Sequence, residues 1–557
     1  MFSKNSVKKN IARCIAVGMA VMSVTGCKGD EKDHPNNHAG ASASGNYAYS
    51  NAAYATSQSA TVSFASGASA CASSSNASGY GSYWGYYDPV FNTEEYKALA
   101  ENAFRDVTVT PLSTFAADVD TASYANLRRF INSGYTYNAI PKGAVRIEEM
   151  INYFSYDYQG PQGNEPFGVN AEISECPWNE DHLLVHLGLK TEDIDLTDAP
   201  ECNLVFLIDV SGSMNMDNKL PLLKKSFDML LDNLNPDDTI SIVTYANGVN
   251  TVLDGVKASD TTTIKNALDK LEAGGGTHGE GGIEMAYQVA EKNFIEGGNN
   301  RVILATDGDF NIGKSSDSEL SELIKEKKES GVFLSVLGYG MGNYSDMRME
   351  TLADDGNGNY AYIDSEKEAK KVLVNEISST LLTVAKDVKF QVEFNPVYVS
   401  EYRLVGYENR IMASEDFKND KKDGGEVGAG QTLTVLYEIV PAENSTKESG
   451  LRYQNASLTN EALNSNEWLT LSIRYKDPDS DTSEGKDYHI GGDCYNKKPS
   501  DDFKFAASVA EFGMVLTNSE YLADGSGDHV IECLSDIEID DEYKMEFTML
   551  VEKINQY

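Results

Sequence analysis

Between residues 201 and 384, short apolar runs alternate with patterns that are typical of amphipathic helices. Residues 204–208 are all apolar and are followed by Asp209. Such a run is typical of a strand buried on both faces of a parallel sheet. Helix patterns step by three and four residues, as Leu220, Leu223 and Phe227 do. The further predicted strands are 240–245, 302–306, 332–337 and 360–363, and the further predicted helices are 261–272, 280–294, 317–329, 346–354 and 365–384. This alternation predicts an α/β fold with a doubly wound, mostly parallel, Rossmann-like sheet.

Oxygen-bearing side chains follow the predicted strands at the points where they end. Asp209, Ser211 and Ser213 come directly after the first strand, and Asp307 follows the strand 302–306. Thr277 ends a Gly-rich loop before a helix. Because sites in such sheets lie at the carboxyl ends of the strands, we expect these five side chains to converge.

Five converging oxygens of this kind suit a magnesium ion. Mg²⁺ takes six oxygen ligands at ~2.0–2.1 Å and keeps several waters. Three hydroxyls and two carboxylates leave a coordination position that an Asp or Glu of a partner can complete. Helix capping by Asp and Ser is the structural alternative, but it explains one residue per loop rather than five. A metal that is bound and never used for a ligand remains a second alternative.

The pattern D-x-S-x-S, with a distant Thr and a distant Asp, resembles the metal-ion-dependent adhesion site of the von Willebrand factor type A (VWA) family. The resemblance implies that Ser211 and Ser213 are direct ligands. It also implies that Asp209, Thr277 and Asp307 change between direct and water-mediated binding. The implied cofactor is Mg²⁺ or another divalent cation such as Mn²⁺ or Ca²⁺. Residues 111–154 and the carboxyl-terminal tail resemble the regions that accompany VWA domains in a branch of bacterial lipoproteins.

The regions that flank this α/β unit alternate apolar and polar residues with a period of two, which predicts strands with one apolar face. Examples before and after the unit are Leu183, Val185, Leu187 and Leu189, then Val388, Phe390, Val392 and Phe394. The early strands, 167–174 and 182–189, would be marginal as an isolated hairpin. We therefore expect them to pair with strands within 387–475 in a β-sandwich into which the VWA domain is inserted.

Helical patterns lie at the two ends of the body, in an N-terminal region and a C-terminal tail. Asp118, Asp120, Thr121 and Ser123 precede or begin the helix that carries Tyr124. We expect these residues to cap that helix, with a second cation site as the alternative.

The amino terminus has the features of an export signal. The apolar stretch 14–24 is shorter than the ~20 residues that a membrane-spanning helix needs. The basic residues before or at its start are Lys4, Lys8, Lys9 and Arg13. Residues 24–27, Val-Thr-Gly-Cys, resemble the bacterial lipobox, which implies cleavage before Cys27 and its lipidation. An ordinary secretory signal or a chance cysteine is the alternative. We expect a protein that is lipid-anchored in a bacterial envelope, on the outer side of the cytoplasmic membrane or in the outer membrane, or at the cell surface.

The remaining cysteines do not indicate a disulfide scaffold. They are Cys71, Cys176, Cys202, Cys494 and Cys533. They form no CxxC pair, and we expect no histidine at zinc-ligand spacing. We predict free, buried thiols, with Cys494–Cys533 and Cys176–Cys202 disulfides as alternatives.

These patterns divide the chain into seven segments. They are a signal peptide (1–26), a disordered tether rich in Ser, Ala, Gly and Tyr (27–90), an N-terminal VWA-associated region (91–165), early strands (166–200), a VWA domain (201–384), a β-sandwich (385–485) and a helical C-terminal region (486–557).

Charge and motif content narrow the function classes. The chain has 46 Lys+Arg against 86 Asp+Glu, a formal net charge of −40, which disfavours nucleic acid as a partner. We find no G-x-S-x-G, H-E-x-x-H or phosphate-loop motif, so we expect no enzyme. The favoured function is a membrane-anchored, cation-dependent protein-binding module for adhesion or envelope interaction. An envelope assembly or scaffolding factor with a structural metal is the alternative, and a Mg²⁺-dependent hydrolase is a weaker one.

Overall fold

The computed structural model describes residues 94–556, except 164, 195–198, 278–279, 309–316, 342–344, 445–457, 479 and 481. The predicted signal peptide (1–26) and the whole predicted tether (27–90), with Cys27 and Cys71, lie outside the described residues. Among the described residues, no helix combines the length and the hydrophobicity needed to cross a membrane.

The N-terminal region contributes two short strands, two helices and a long hairpin. They are β1 (Arg105–Asp106), β2 (Leu112–Ala116), α1 (Ala122–Asn132), α2 (Ile147–Asn152), β3 (Phe167–Cys176) and β4 (Asn179–Thr191). One side of α1 and α2 is buried with the carboxyl-terminal helices, while β3 and β4 pair with each other in antiparallel register. This region therefore supplies helices to a core shared with the carboxyl-terminal helices and a strand pair to a β-sheet.

The residues predicted to cap α1 do not cap it. Thr121 stands at the N-cap position without a side-chain cap hydrogen bond. The Ser123 N–H donates instead to Glu149 Oε2 of α2, at 2.8 Å. The buried Ser123 N–H at the start of α1 is thus satisfied by a carboxylate from a neighbouring helix. The capping prediction is therefore wrong.

The two aspartates before α1 bind other partners. Asp118 Oδ2 accepts a hydrogen bond from Arg410 Nε at 2.8 Å, and Asp120 Oδ1 accepts one from the Tyr360 N–H, also at 2.8 Å. Both carboxylates are buried, so their charges need compensation. The positive charge beside Asp118 is the guanidinium of Arg410, which comes from a strand-connecting segment far along the chain.

The central domain is the predicted α/β unit. Its strands are β5 (Cys202–Asp209), β6 (Thr239–Tyr245), β7 (Val249–Lys257), β8 (Asn299–Thr306), β9 (Val332–Tyr339) and β10 (Tyr360–Ile363). They form one sheet in the order β10-β9-β8-β5-β6-β7, parallel except for the antiparallel β6–β7 pair. The doubly wound, mostly parallel sheet predicted from the sequence is confirmed.

Helices cover both faces of this sheet. They are α3 (Leu220–Leu231), α4 (Thr261–Asp269), α5 (Glu280–Lys292), α6 (Asp317–Lys328), α7 (Asp346–Asp355), α8 (Glu366–Lys370) and α9 (Ile377–Leu381). Along β5, Leu204 and Phe206 join one core, and Val205 and Leu207 join the core on the opposite face. Every residue of β5 is buried, which explains its unbroken apolar run.

Two details of this domain differ from the prediction. The single helix expected over 365–384 is instead α8, a π-helical turn at Lys371–Asn375, and α9, after which a strand begins at Thr383. Strand β7 was not predicted, because it is a mostly exposed edge strand without an apolar run.

The sandwich strands that follow are β11 (Thr383–Phe394), β12 (Val399–Val405), β13 (Gly425–Gly428), β14 (Thr432–Pro441), β15 (Glu467–Lys476) and β16 (Ser483–Gly491), with the short helix α10 (Asn460–Asn464). One sheet has the order β1-β12-β14-β4-β3, and the other has β13-β11-β15-β16 with β2 paired to β11. Residues 183–190 of β4 pair with 432–439 of β14. Strands from before and after the central domain therefore share one sheet, as the pairing hypothesis expects. Apolar residues of both sheets form a common core.

The carboxyl-terminal helices are α11 (Asp501–Thr517), α12 (Gly527–Ser535) and α13 (Glu542–Ile554). Phe505 and Phe512 of α11 and Phe547 of α13 pack in one apolar core with Tyr124 of α1 and Met150 of α2. The N-terminal and C-terminal helices thus form one helical layer rather than two separate regions.

A buried histidine in β4 makes stability depend on pH. His186 is 3% exposed, and burial lowers its pKa from the ordinary 6.5 to about 4. Its Nε2 lies 2.9 Å from the Tyr158 hydroxyl. The unfolded chain binds a proton at this residue below about pH 6.5, whereas the folded chain does so only near pH 4, so acidification favours unfolding.

We expect the wild-type protein to lose about 3 kcal/mol more stability than His186→Gln between pH 7 and pH 4, from a shift of roughly 2.5 pKa units at ~1.36 kcal/mol each. Urea unfolding of both proteins at several pH values measures the difference, and comparing the two cancels the titration of other groups. A stability gap that stays constant over this range would contradict the assignment.

Candidate metal site

The first loop of the site follows β5 directly. The Ser211 N–H donates to Asp209 Oδ1 at 2.8 Å, which folds the chain back immediately after the strand. Residues Gly212–Met214 then form a single 3-10 turn. This turn places Ser211 Oγ and Ser213 Oγ 2.9 Å apart. Asp209 and Ser211 are buried, and Ser213 is half-buried.

The Gly-rich loop is held against this turn through its backbone. The Gly274 N–H donates to the Val210 carbonyl at 2.8 Å, and the Gly212 N–H donates to the Gly275 carbonyl at 3.0 Å. Gly275 has φ +89°, and a Cβ there would fall 2.4 Å from the Asn247 side chain, so only glycine fits. Thr277, half-buried, lies two residues beyond this contact.

The third loop follows β8, the parallel neighbour of β5. Ile208 pairs with Ala305 across the two strands, which brings the next residues of both strands to the same edge of the sheet. Thr306 Oγ1 donates to Asp209 Oδ2 at 3.3 Å, and Asp307 is fully buried one residue further. The three loops predicted from the sequence therefore meet at the carboxyl ends of neighbouring parallel strands.

Tyr245, the last residue of β6, also reaches this edge. Its hydroxyl donates to Asp209 Oδ2 at 3.2 Å, and the side chain is fully buried. Burial raises the pKa of Asp209 to about 6, the hydrogen bonds from Ser211 oppose this shift, and the charge of Asp307 adds to it. Tyr245 was not predicted as a site residue, because an aromatic residue in a strand is common and does not by itself indicate a site.

A buried lysine is the main feature that the sequence did not reveal. Lys219 Nζ lies 2.7 Å from Asp307 Oδ2, with the two side chains 2% and 0% exposed. Gly340, at φ +80°, passes beside the Lys219 stem, since a Cβ at this glycine would fall 2.2 Å from Lys219 Cε. A lysine one residue before an amphipathic helix normally points to solvent, so nothing in the sequence marked it.

The donor set fits a small divalent cation. Two oxygens in adjacent positions around Mg²⁺, each at ~2.0–2.1 Å from the ion, lie about 2.9 Å apart. The Ser211 and Ser213 hydroxyl oxygens have this separation. Two carboxylates, Asp209 and Asp307, lie beside them, and their combined charge of −2 is partly offset by the +1 of Lys219.

The fold and this arrangement of loops define a protein with a VWA domain. The family described as "von Willebrand factor type A domain" matches residues 203–376, and one described as "von Willebrand factor" matches residues 90–186. The family "Uncharacterized protein YfbK, C-terminal" matches residues 379–557. The chain is 40% identical over 469 residues to "Uncharacterized protein YfbK" of Escherichia coli (strain K12), covering 83% of this chain and 81% of the relative. The chain therefore belongs to the YfbK family of VWA-domain proteins.

More distant similarity has lower sequence identity and covers smaller parts of this chain. Inter-alpha-trypsin inhibitor heavy chain H3 of Mesocricetus auratus is 26% identical over 275 residues, which are 45% of this chain and 30% of that protein. Among solved structures, a von Willebrand factor type A protein from Catenulispora acidiphila covers 70% of this chain and 93% of its own, with 14% identity and a TM-score of 0.36. A mussel byssus protein, proximal thread matrix protein 1 with a zinc-occupied MIDAS motif, covers 34% of this chain and 46% of its own, with 24% identity and a TM-score of 0.28.

Proposed function

We propose that this protein is a divalent-cation-dependent protein-binding module of the bacterial envelope, held to a membrane by a lipid on Cys27. Mg²⁺, or Mn²⁺ or Ca²⁺ in its place, would bind to Ser211 and Ser213. Asp209, Thr277 and Asp307 would bind it directly or through water. The observation that carries the proposal is the 2.9 Å separation of the two serine hydroxyls beside two buried carboxylates.

The charge balance of the site supports an acidic partner. Among the residues that the structure describes at the site, two carboxylates and one ammonium group give a net charge of +1 when Mg²⁺ is bound. A partner carboxylate would bring this net charge to zero and supply the hard oxygen ligand that Mg²⁺ prefers. The ion would supply a Lewis-acidic position for the carboxylate of the partner. The ligand residues of this chain would determine the orientation of that position.

Accessibility supports binding from outside rather than a closed structural metal. Asp209, Ser211 and Asp307 are buried, whereas Ser213 and Thr277 are only half-buried and keep part of their surface in contact with solvent. A purely structural ion is expected to be enclosed by protein ligands, as closed metal sites are. An incoming side chain could reach the ion past the two half-buried hydroxyls.

The first test is the stabilisation of the full chain by Mg²⁺. At a concentration 100 times its dissociation constant, a bound ion adds ~2.7 kcal/mol to the free energy of unfolding. We expect Mg²⁺ to raise the melting temperature of the wild type and to lose most of this effect in Ser211→Ala and in Asp209→Ala. Ser226→Ala is the matched control, because Ser226 is also a buried hydroxyl but bonds to Leu222 O within α3. Equal Mg²⁺ shifts in wild type, Ser211→Ala and Asp209→Ala would refute the metal site.

Partner chemistry is tested with immobilised peptides that differ only at one position. Peptides that carry Asp or Glu should retain the wild-type protein in Mg²⁺, and the same peptides with Asn or Gln should not. Chelator and Ser211→Ala should both abolish the retention. Equal retention on the acidic and the amide peptides would argue against a partner carboxylate.

A further inference from the structure

The carboxyl-terminal helices bring together a carboxylate, an imidazole and a thiol. His529 and Cys533 lie four residues apart on α12, so both project from one face of the helix. His529 Nε2 lies 3.6 Å from Cys533 Sγ, and His529 Nδ1 lies 2.8 Å from Glu511 Oε1 of α11. One ligand atom from each of the three side chains lies within 4.8 Å of the other two.

The expectation that no histidine stands at zinc-ligand spacing from a cysteine is therefore wrong. His529 precedes Cys533 by one helical turn, and this spacing is readable in the sequence. The four cysteines that the structure describes are free, as predicted. Cys176 and Cys202 are also buried, whereas Cys494 and Cys533 are only half-buried.

The spacing of the donor atoms suits a tetrahedral cation. With Zn–S at ~2.3 Å and Zn–N at ~2.0–2.1 Å, a tetrahedral ion holds its sulfur and nitrogen ligands about 3.6 Å apart. The thiol and the imidazole already have this separation before any ion is considered. The distance between these two donor atoms therefore needs no change to match such an ion, and the thiol loses its proton on binding.

The buried carboxylate supplies the second observation. Glu511 is 0% exposed, and its Oε1 accepts the Ser526 N–H at 3.1 Å in addition to its contact with His529. Its other oxygen, Oε2, is buried without a hydrogen-bond partner among the described residues. An unsatisfied buried carboxylate oxygen costs free energy, and a cation ligated by Glu511 would remove that cost.

We propose that Glu511, His529 and Cys533 form a Zn²⁺ site, separate from the site at Ser211 and Ser213. Thiolate and imidazole are ligands that zinc accepts and that Mg²⁺ does not prefer. Three protein ligands leave a fourth position for water, and His529, 30% exposed, gives that position a path to solvent. Binding replaces the thiol proton with the metal ion and releases that proton to solvent. The bound ion would tie α11 to α12.

An acidic environment favours the metal over a reactive thiol at this place. Glu511, Glu532 and Asp536 place negative charge around Cys533, and Lys504 offsets part of it, so the net local charge attracts a cation. The row of thiol, imidazole and carboxylate also resembles the order of groups in a cysteine nucleophile site. Alkylation by iodoacetamide distinguishes a metal site from a cysteine nucleophile site. A metal-bound thiolate is protected from the reagent, whereas an activated thiolate reacts rapidly.

Cobalt substitution tests the site in the reduced full chain. Co²⁺ bound to a thiolate gives a near-ultraviolet charge-transfer band, which ligands of oxygen alone cannot give. We expect one equivalent of Co²⁺ to produce this band, and one equivalent of Zn²⁺ to remove it and to protect Cys533 from iodoacetamide. Cys533→Ser and His529→Gln should lose the band. Cys494→Ser, which removes another half-buried thiol, should keep it, and so should Ser211→Ala.

The outcomes separate this proposal from the proposed Mg²⁺ function. A band that is absent in the reduced wild type, or that persists in Cys533→Ser, would overturn the zinc site without affecting the Mg²⁺ shift in melting temperature. Rapid alkylation of Cys533 in the presence of Zn²⁺ would also overturn it. The wild-type measurement is decisive by itself if a variant fails to fold, which circular dichroism will reveal.

Discussion

Replacing Arg128 by methionine is expected to destabilise the protein by about 3–5 kcal/mol, the usual cost of removing one partner from a buried charged cluster. Arg128 lies on α1 and is 3% exposed. Its guanidinium contacts Asp364 at 2.5 and 2.9 Å and Glu368 at 2.7 Å. It also contacts Glu546 of α13 at 3.2 Å.

The size of this effect follows from what the arginine leaves behind. Glu368 is 1% exposed and would retain the Tyr153 hydroxyl as a donor, at 2.7 Å, but would lose the guanidinium that contacts it at 2.7 Å, leaving Lys371 as the remaining nearby positive charge. The same substitution removes a connection between α1, the central domain and α13. Methionine fills a similar volume, so the loss measures charge rather than an empty cavity.

A double variant separates the buried charge from lost packing. Arg128→Met combined with Glu368→Gln removes the uncompensated charge and should recover part of the stability, which gives a coupling free energy between the two positions. Arg128→Lys should fall between wild type and Arg128→Met, because lysine keeps the charge but cannot form the guanidinium fork. Urea unfolding measures the wild type, the two Arg128 variants, the double variant and the Glu368→Gln single variant that the coupling free energy requires. A loss below about 1 kcal/mol for Arg128→Met, the level of exposed ion pairs, would show that the cluster is not compensated as the contacts imply.

The central sheet was predictable because its strands are buried on both faces, which leaves a strong apolar signature such as residues 204–208. The edge strand β7 lacks that signature, since most of its residues are exposed. The break between α8 and α9 was not predictable either. A π-helical turn inserts one extra residue into a helix without changing its composition.

The loops and the two carboxylates of the candidate site were predictable, but its buried lysine, Lys219, was not. Parallel neighbours such as β5 and β8 end at one edge, so residues after each strand must lie near each other. Lys219 precedes the first residue of α3, and its position depends on the path of the chain between Met214 and this helix. No local sequence pattern specifies that path. Glu511 illustrates the same limit, because only the packing of α11 on α12 brings it to His529.

Lys219→Met is expected to weaken the metal-free protein and to strengthen its response to Mg²⁺. Without the ammonium group, Asp307 stays buried at 0% exposure and loses its contact at 2.7 Å. Removing one partner of such a pair costs about 3–5 kcal/mol. The same change removes the positive charge of Lys219 from beside Asp307, so the repulsion of a divalent cation at the site decreases.

The gain in Mg²⁺ affinity should be tenfold or more. Two unit charges about 4 Å apart interact by roughly 4 kcal/mol at an effective dielectric constant of ~20, and a divalent ion doubles that interaction at equal distance. Removing about a fifth of this repulsion would already lower the free energy of Mg²⁺ binding by more than the ~1.4 kcal/mol that corresponds to a tenfold gain in affinity. Mg²⁺ should therefore raise the melting temperature of Lys219→Met more than that of the wild type, and saturating Mg²⁺ should restore most of the lost stability.

Melting curves of the full chain across a Mg²⁺ titration measure both parts of this expectation, and calorimetry gives the affinity directly. Lys225→Met is the matched control, because Lys225 lies on α3, is 61% exposed and pairs with the equally exposed Glu366. It removes the same charge from the protein and should change neither the metal-free stability by more than about 1 kcal/mol nor the Mg²⁺ affinity. If Lys219→Met binds Mg²⁺ more weakly than wild type, Lys219 helps to hold the ion's ligands in place, and its role as a competing cation on Asp307 is wrong.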